Sequence, residues 1–279
     1  MNPQHPPLRP FGRTLVAAPT GDEAADFDLR AIQGMGVPQP VLMENAGRSA
    51  AQIAQRLFPL GRVVAVVGAG NNGGDALVLL RTLAAWGREV TALVVADRPA
   101  PETVLHGWPV RWVADGALGD ADWAALLGSA SVVVDGILGT GVRGAPRPRQ
   151  AAAIRRVNAA GRPVLALDIP SGVDAGTGAT PGEAVRAHVT VSFGAPKLGA
   201  LLHPGRARAG RLVAVEIGFP PMDRAASAQV VTPAWAQERM PLRGLDTHKN
   251  AVGRLVVVAG KAGMAGAAVL AARGAFRAG

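Results

Sequence analysis

Three polar stretches of this chain hold residue types that could do chemistry. They are Gly68-Ala69-Gly70-Asn71-Asn72-Gly73-Gly74-Asp75, Asp135-Gly136-Ile137-Leu138-Gly139-Thr140-Gly141-Val142-Arg143-Gly144 and Leu167-Asp168-Ile169-Pro170-Ser171-Gly172-Val173-Asp174. Glycines ahead of a helix let a ligand approach unpaired backbone N–H groups, which is how a phosphate is commonly held. The first stretch has more than a phosphate cradle needs. Asn71, Asn72 and Asp75 put amides and a carboxylate where such a loop carries small or apolar residues. Asp135 and Asp168 add carboxylates, and Ser171 adds a hydroxyl.

These stretches need elements to position them, and the hydrophobic pattern supplies those elements. The run Val63-Val64-Ala65-Val66-Val67 reads as a buried strand feeding the first glycine loop, with helix-compatible residues after it. Strands are expected at 62–67, 89–95, 110–113, 131–135, 163–168, 188–193 and 211–217. Helices are expected at 23–34, 41–58, 74–86, 121–128 and 148–160. Strands alternating with helices imply an α/β fold, a doubly wound and mostly parallel sheet between helical layers. In such a sheet the carboxyl ends of the strands share one edge, where ligands bind. Chain order alone therefore brings Asn72, Asp135, Asp168 and Ser171 toward one crevice.

Length and composition narrow the function classes. The 279 residues suit one large domain or two small ones, and 49% hydrophobic residues can fill a core. There is no cysteine, which excludes disulfides and thiolate metal sites and fits a reducing, cytoplasmic setting. The formal charge of +9 comes almost wholly from arginine. The arginines are scattered, without a dense run or interleaved aromatics, so an anionic small molecule is a better partner than nucleic acid. No segment has the length of apolar residues that spans a bilayer.

Single features have bland readings too. An isolated Asp-Gly or Asn-Gly is usually a turn. Gly68–Gly73 also satisfies G-x-G-x-x-G, with Asp97 where a ribose-binding acid of a dehydrogenase would stand. Asn71, Asn72 and Asp75 weigh against that reading, because the third glycine serves close helix–strand packing. His203 and Arg206 are candidates to reach a phosphate.

Four motifs carry a resemblance. Leu42-Met43-Glu44-Asn45-Ala46-Gly47-Arg48, Asn71-Asn72-Gly73-Gly74-Asp75, Gly139-Thr140-Gly141 and Leu167-Asp168-Ile169-Pro170-Ser171-Gly172-Val173-Asp174 resemble, in order, those of the NAD(P)H-hydrate epimerases, over about residues 14–220. The resemblance implies a three-layer αβα Rossmann-like domain. It implies an isomerase of nicotinamide nucleotide repair that interconverts the R and S forms of NADHX and NADPHX. It assigns substrate binding to Asn71, Asn72, Gly73, Gly74 and Asp75, to Gly139, Thr140, Gly141, Val142, Arg143, Gly144 and Ala145, and to Asp168. It assigns catalysis to Asp168 and a potassium ion to Asn72, Asp135 and Ser171. Oxygen donors of that kind suit a hard cation. Beside the resemblance, Lys197 in Gly194-Ala195-Pro196-Lys197 is a candidate for a second catalytic or a phosphate-contacting group. Relatives of this fold that act as scaffolds form the alternative class; they can lose Asp168 or the Asn-Asn-Gly-Gly-Asp loop, and this chain keeps both.

The remaining segments complete the expected organisation. Residues 1–13 read as a disordered lead and 221–247 as a linker. Residues 248–279, with His248-Lys249 and Gly263-Met264-Ala265-Gly266-Ala267-Ala268, resemble the opening of the ADP- or ATP-dependent NAD(P)H-hydrate dehydratase, a ribokinase-like unit. A strand is expected at 255–259 and a helix at 267–278, with Val269, Leu270 and Phe276 exposed. One strand and one helix make an incomplete α/β unit, so the sequence reads as a truncated bifunctional enzyme without dehydratase activity of its own.

Overall fold

A computed structural model describes residues 15–97, 103–220, 226–240, 244–248, 251 and 253–278. The expected lead at 1–13 lies outside these residues. The chain falls into two compact units that divide after Trp235.

The first unit runs β1 (Leu15–Ala17), α1 (Gly21–Leu29), α2 (Gln39–Leu57), β2 (Arg62–Val67), α3 (Asn71–Ala85), β3 (Val90–Val94) and β4 (Arg111–Ala114). It continues through α4 (Asp120–Gly128), β5 (Ala130–Gly136), α5 (Pro148–Ala159), β6 (Val164–Leu167), β7 (Val189–Phe193), β8 (Arg211–Val215) and β9 (Gln229–Val231). Seven strands form one parallel sheet in the order β4-β3-β2-β5-β6-β7-β8. The order reverses between β2 and β5, so a crevice opens beyond their carboxyl ends.

Strand residues alternate between two apolar layers. Val63, Ala65 and Val67 of β2 join α2 and α3 in one layer, while Val64 and Val66 join α4 and α5 in the other. That is the αβα sandwich the sequence pattern implied. α3 is buried almost all round, including Leu77, Leu79, Leu80 and Leu83, as its place between α2 and the sheet requires. Two glycines set the approach of the elements that carry the site. A Cβ at Gly47 of α2 would lie 2.4 Å from the Val78 Cβ and 2.7 Å from the Asp75 carbonyl oxygen, so α2 and α3 can meet closely only with glycine there. A Cβ at Gly68 would lie 1.9 Å from the Ile137 carbonyl oxygen, where the chain leaving β2 passes the chain leaving β5.

α1 is tied down at its start. Thr20 accepts from the Glu23 N–H at 3.2 Å, and Glu23 accepts from the Thr20 N–H at 2.8 Å, a reciprocal cap. The other Glu23 oxygen accepts from the Ser227 N–H at 2.9 Å. β1 pairs antiparallel with β9, from Leu15↔Val231 to Ala17↔Gln229. These contacts correct the linker expected at 221–247. Part of it, β9, belongs to the first unit, because β1 needs a partner for its backbone groups. α6 (Pro233–Arg239) follows, and the division of the chain falls within it.

In the second unit α7 spans Gly266–Ala278. The strand expected at 255–259 does not form, and Leu255, Val256 and Val258 are exposed. Among the described residues this apolar run has no neighbouring strand to receive its N–H and C=O groups. Val269, Leu270 and Phe276 of α7 are exposed as expected. No helix among the described residues is long and apolar enough to cross a membrane.

Candidate active site

The crevice at the switch point is a cavity of about 550 Å³. Its walls come from the first turns of α3, the loop after β5, the ends of β6 and β7, and one face each of α1 and α2. The Asn-Asn-Gly-Gly-Asp stretch is expected as a loop, but Asn71 to Asp75 form the first turns of α3. Asn71, Asn72 and Asp75 reach the cavity, while Gly73 and Gly74 are buried in the helix. Gln39 of α2 donates to the Asn71 side-chain oxygen at 3.3 Å.

Asp168 follows β6 with φ +63°, the one non-glycine residue with positive φ among those described. That backbone region is uncommon outside glycine, though aspartate enters it more readily than most. Tertiary bonds hold it there. The Asp168 N–H donates to the Val191 carbonyl at 2.7 Å, and Ser192 Oγ donates to the Asp168 carbonyl at 2.7 Å. Lys197 Nζ donates to Asp168 Oδ1 at 2.5 Å, and the Phe193 N–H donates to the same oxygen at 3.1 Å. Lys197 also donates to the carbonyls of Phe193 at 2.9 Å and Ala195 at 3.3 Å. Its three protons are therefore all engaged. Lys197 is 4% exposed and holds Asp168, whereas Asp168 Oδ2 is left without a partner among the described residues.

Two further carboxyls face the same cavity. Asp75 is 8% exposed, and neither of its oxygens has a hydrogen-bond partner among the described residues. Burial pushes its proton affinity well above the usual carboxylate range, and the negative charges of Asp168 and Asp28 push it further, against Lys197. Asp28 of α1 is an exposed residue where it opens to the cavity, but the protein around it still strips it of part of its water. Burial raises it to about 6, with Lys197 acting against the rise and Asp168 adding to it. Asp28 is the residue that sequence reasoning missed. Its signal was available: Ala24, Ala25, Asp28, Leu29 and Ile32 line the cavity at helical spacing, and one carboxylate stands in that stripe.

Behind the cavity lies a second polar group. Asp135 is fully buried. Its Oδ1 accepts from Ser171 Oγ at 2.6 Å and from the Ile137 N–H at 3.2 Å, and its Oδ2 accepts from the Ser171 N–H at 2.8 Å. Burial pushes its carboxyl up to about 6, and the Ser171 bonds oppose the rise. Asn72 Nδ2 donates to the Leu138 carbonyl at 2.8 Å, but the buried Asn72 Oδ1 has no partner among the described residues. Asn72, Leu138, Asp135 and Ser171 are thus linked through shared bonds.

Other expected residues are placed elsewhere. Gly139, Thr140, Gly141 and Val142 line the cavity, whereas Arg143, Gly144 and Ala145 do not. Arg143 pairs with Asp22 at the start of α1, which draws that end of the loop aside. His203 and Arg206 also lie off the cavity; Arg206 donates to the Gly210 carbonyl at 2.9 Å. Asp97 bonds Arg149 at 2.9 Å, away from the cavity. The dehydrogenase reading thereby loses its ribose acid.

A parallel sheet with a carboxylate-lined crevice at its switch point defines a Rossmann-like α/β domain. Residues 39–199 match the family described as YjeF-related protein N-terminus, and the chain belongs to that family. It is 42% identical over 275 residues to the bifunctional NAD(P)H-hydrate repair enzyme Nnr of Hyperthermus butylicus, covering 95% of this chain and 49% of the relative. It is 44% identical over 190 residues to the NAD(P)H-hydrate epimerase of Clavibacter michiganensis, covering 64% of this chain and 82% of that one. The chain spans about half the length of the bifunctional relative. The crystal structure of yeast ynu0 shares the fold, with a TM-score of 0.63 at 23% identity, over 73% of this chain and 90% of that chain.

Proposed function

We propose that this chain is an NAD(P)H-hydrate epimerase, inverting the hydroxyl-bearing ring carbon of NADHX and NADPHX. The reading rests most on the free Oδ2 of Asp168, whose other oxygen is fixed by Lys197 in a cavity lined by further carboxyls. The hydroxyl-bearing carbon is bonded to the ring nitrogen. Its inversion can pass through ring opening, which needs a base at the hydroxyl and an acid at the nitrogen. Asp168 serves as that base, and Lys197 orients it. Asp75, holding its proton, can donate a hydrogen bond without adding negative charge. The start of α3 and the loop at Gly139–Val142 bind the nucleotide. The cytoplasm is the setting this reading favours. The test supplies R hydrate with a separate S-specific dehydratase and follows restored NADH absorbance. No acceleration over the spontaneous rate would defeat the proposal.

A potassium ion beside the cavity is part of the same proposal. The residues fit such a group. Asn72 Oδ1 is a buried acceptor without a donor among the described residues, and a cation would satisfy it. One carboxylate, one amide and one hydroxyl give hard oxygen ligands with little charge, suited to a monovalent ion. Asn72, Asp135 and Ser171 would hold it, and it would stiffen the loops after β5 and β6. We expect melting to occur a few degrees higher in potassium than in tetramethylammonium at equal ionic strength. A concentration about tenfold above Kd is worth about 1.4 kcal/mol. The difference should vanish in Asn72→Ala. Equal melting of the wild type in both salts would leave these residues bonded only to one another.

A further inference from the structure

We propose that Asp28 is the second catalytic acid–base residue of this cavity, delivering to the ring nitrogen the proton that ring opening requires. The proposal rests on the epimerase reading above and adds the residue that reading lacks. Asp168 takes the hydroxyl proton, and the carbon–oxygen bond becomes a carbonyl as the carbon–nitrogen bond breaks. The electron pair of that bond goes to nitrogen, which takes a proton from Asp28. After the aldehyde turns, nitrogen attacks its other face. Asp28 takes back the nitrogen proton, and Asp168 returns one to the oxygen. Atoms and charge balance, and no oxidant or reductant enters.

Three observations favour Asp28 over the other groups that line the cavity. Lys197 has all three protons engaged, so it has none directed at the ring. Asp75 sits nine-tenths buried in α3, packed under α2 through Gly47, so it has little room to follow a ring that opens and turns. Asp28 comes from a different element, α1, and is open to the cavity with no hydrogen-bond partner among the described residues. The charged groups facing it are Asp168 and Lys197, with Asp75 close enough to feel its charge. Its rise to about 6 has burial as the largest cause. A carboxyl that titrates near the working pH can both give and take a proton.

The sign of the pH dependence follows. Asp28 must begin protonated and Asp168 ionised, so kcat/KM should fall as pH rises through about 6. A bound substrate excludes water, so the same limb should stand higher in kcat. Stability gives an independent readout. The folded-state value lies above the ordinary 3.8, so the stability tied to this proton is complete below 3.8 and is lost as pH rises through about 6. Asp28→Asn removes that loss, and the variant should melt above the wild type at pH 8.

The experiment measures epimerisation by wild type, Asp28→Asn and Asp28→Glu from pH 5 to 9, subtracting the spontaneous rate. We expect Asp28→Asn to lower kcat about a hundredfold, to change KM less than threefold and to lose the limb near pH 6. Asp28→Glu should recover part of the rate and keep a limb. An Asp28→Asn variant with wild-type kcat and an unchanged limb would overturn the proposal, as would a loss confined to KM. A wild type that does not epimerise would instead defeat the epimerase reading itself.

Discussion

Asp168→Asn should retain the fold and lose epimerisation by at least about a hundredfold, the low end for removing a general base. The backbone bonds that hold the positive φ do not involve the side chain. They run from the Asp168 N–H to Val191 and from Ser192 to the Asp168 carbonyl. An asparagine oxygen can still accept from Lys197 and the Phe193 N–H. Its NH2 group then stands where the free Oδ2 stood, offering a donor in place of a base. The loss should fall on kcat, since the start of α3 and the Gly139–Val142 loop are untouched. Near-wild-type turnover, after subtraction of the spontaneous rate, would remove Asp168 from the chemistry.

Lys197→Met should be the more damaging change to stability. Lys197 and Asp168 have side chains 5% and 15% exposed. Removing one partner of a buried ion pair costs about 3–5 kcal/mol, because the other charge is left unmatched. The Ala195 carbonyl also loses its Lys197 donor, while the Phe193 carbonyl keeps the Ala195 N–H at 2.9 Å. Asp168→Asn added to Lys197→Met should recover part of the stability, so the pair would be strongly non-additive. Lys197→Met melting within a degree of wild type at pH 8 would show that the pair does not support the fold. Activity should fall with stability, because among the described residues only the Phe193 N–H would still fix Asp168 Oδ1.

Where the physics is local, the chain displays its structure openly. β2 ends in five apolar residues ahead of a glycine, and the other strands of the sheet have similar runs. The parallel order then places Asp135 and Asp168 on one edge without further information. Where tertiary contacts decide, the pattern misleads. α3 starts at Asn71 although Asn-Asn-Gly-Gly is a poor helix opening. Close packing of Gly47 against α3 overrides that propensity. Asp28 was hidden because, two and six residues from the exposed Asp26 and Asp22, it reads as one more polar residue of a solvated segment, and only the cavity distinguishes it from the others. β9 was hidden because three residues give no period to read. Residues 255–259 erred in the opposite direction: their strand pattern is strong, but a strand exists only with a neighbour.

The pairing of β1 with β9 determines where this protein can be cut. A variant ending at residue 220 would contain every strand of the parallel sheet and both halves of the cavity floor. It would nevertheless leave β1 as a bare edge and take from Glu23 the donor at Ser227. α1, and with it Asp28, would then be held from one side only. Such a variant should show faster amide exchange along α1 and a tendency to self-associate through the open edge. A variant ending at residue 240 should behave like the whole chain in both respects. The working boundary of the first unit is thus drawn by a three-residue strand lying outside the segment its motifs span.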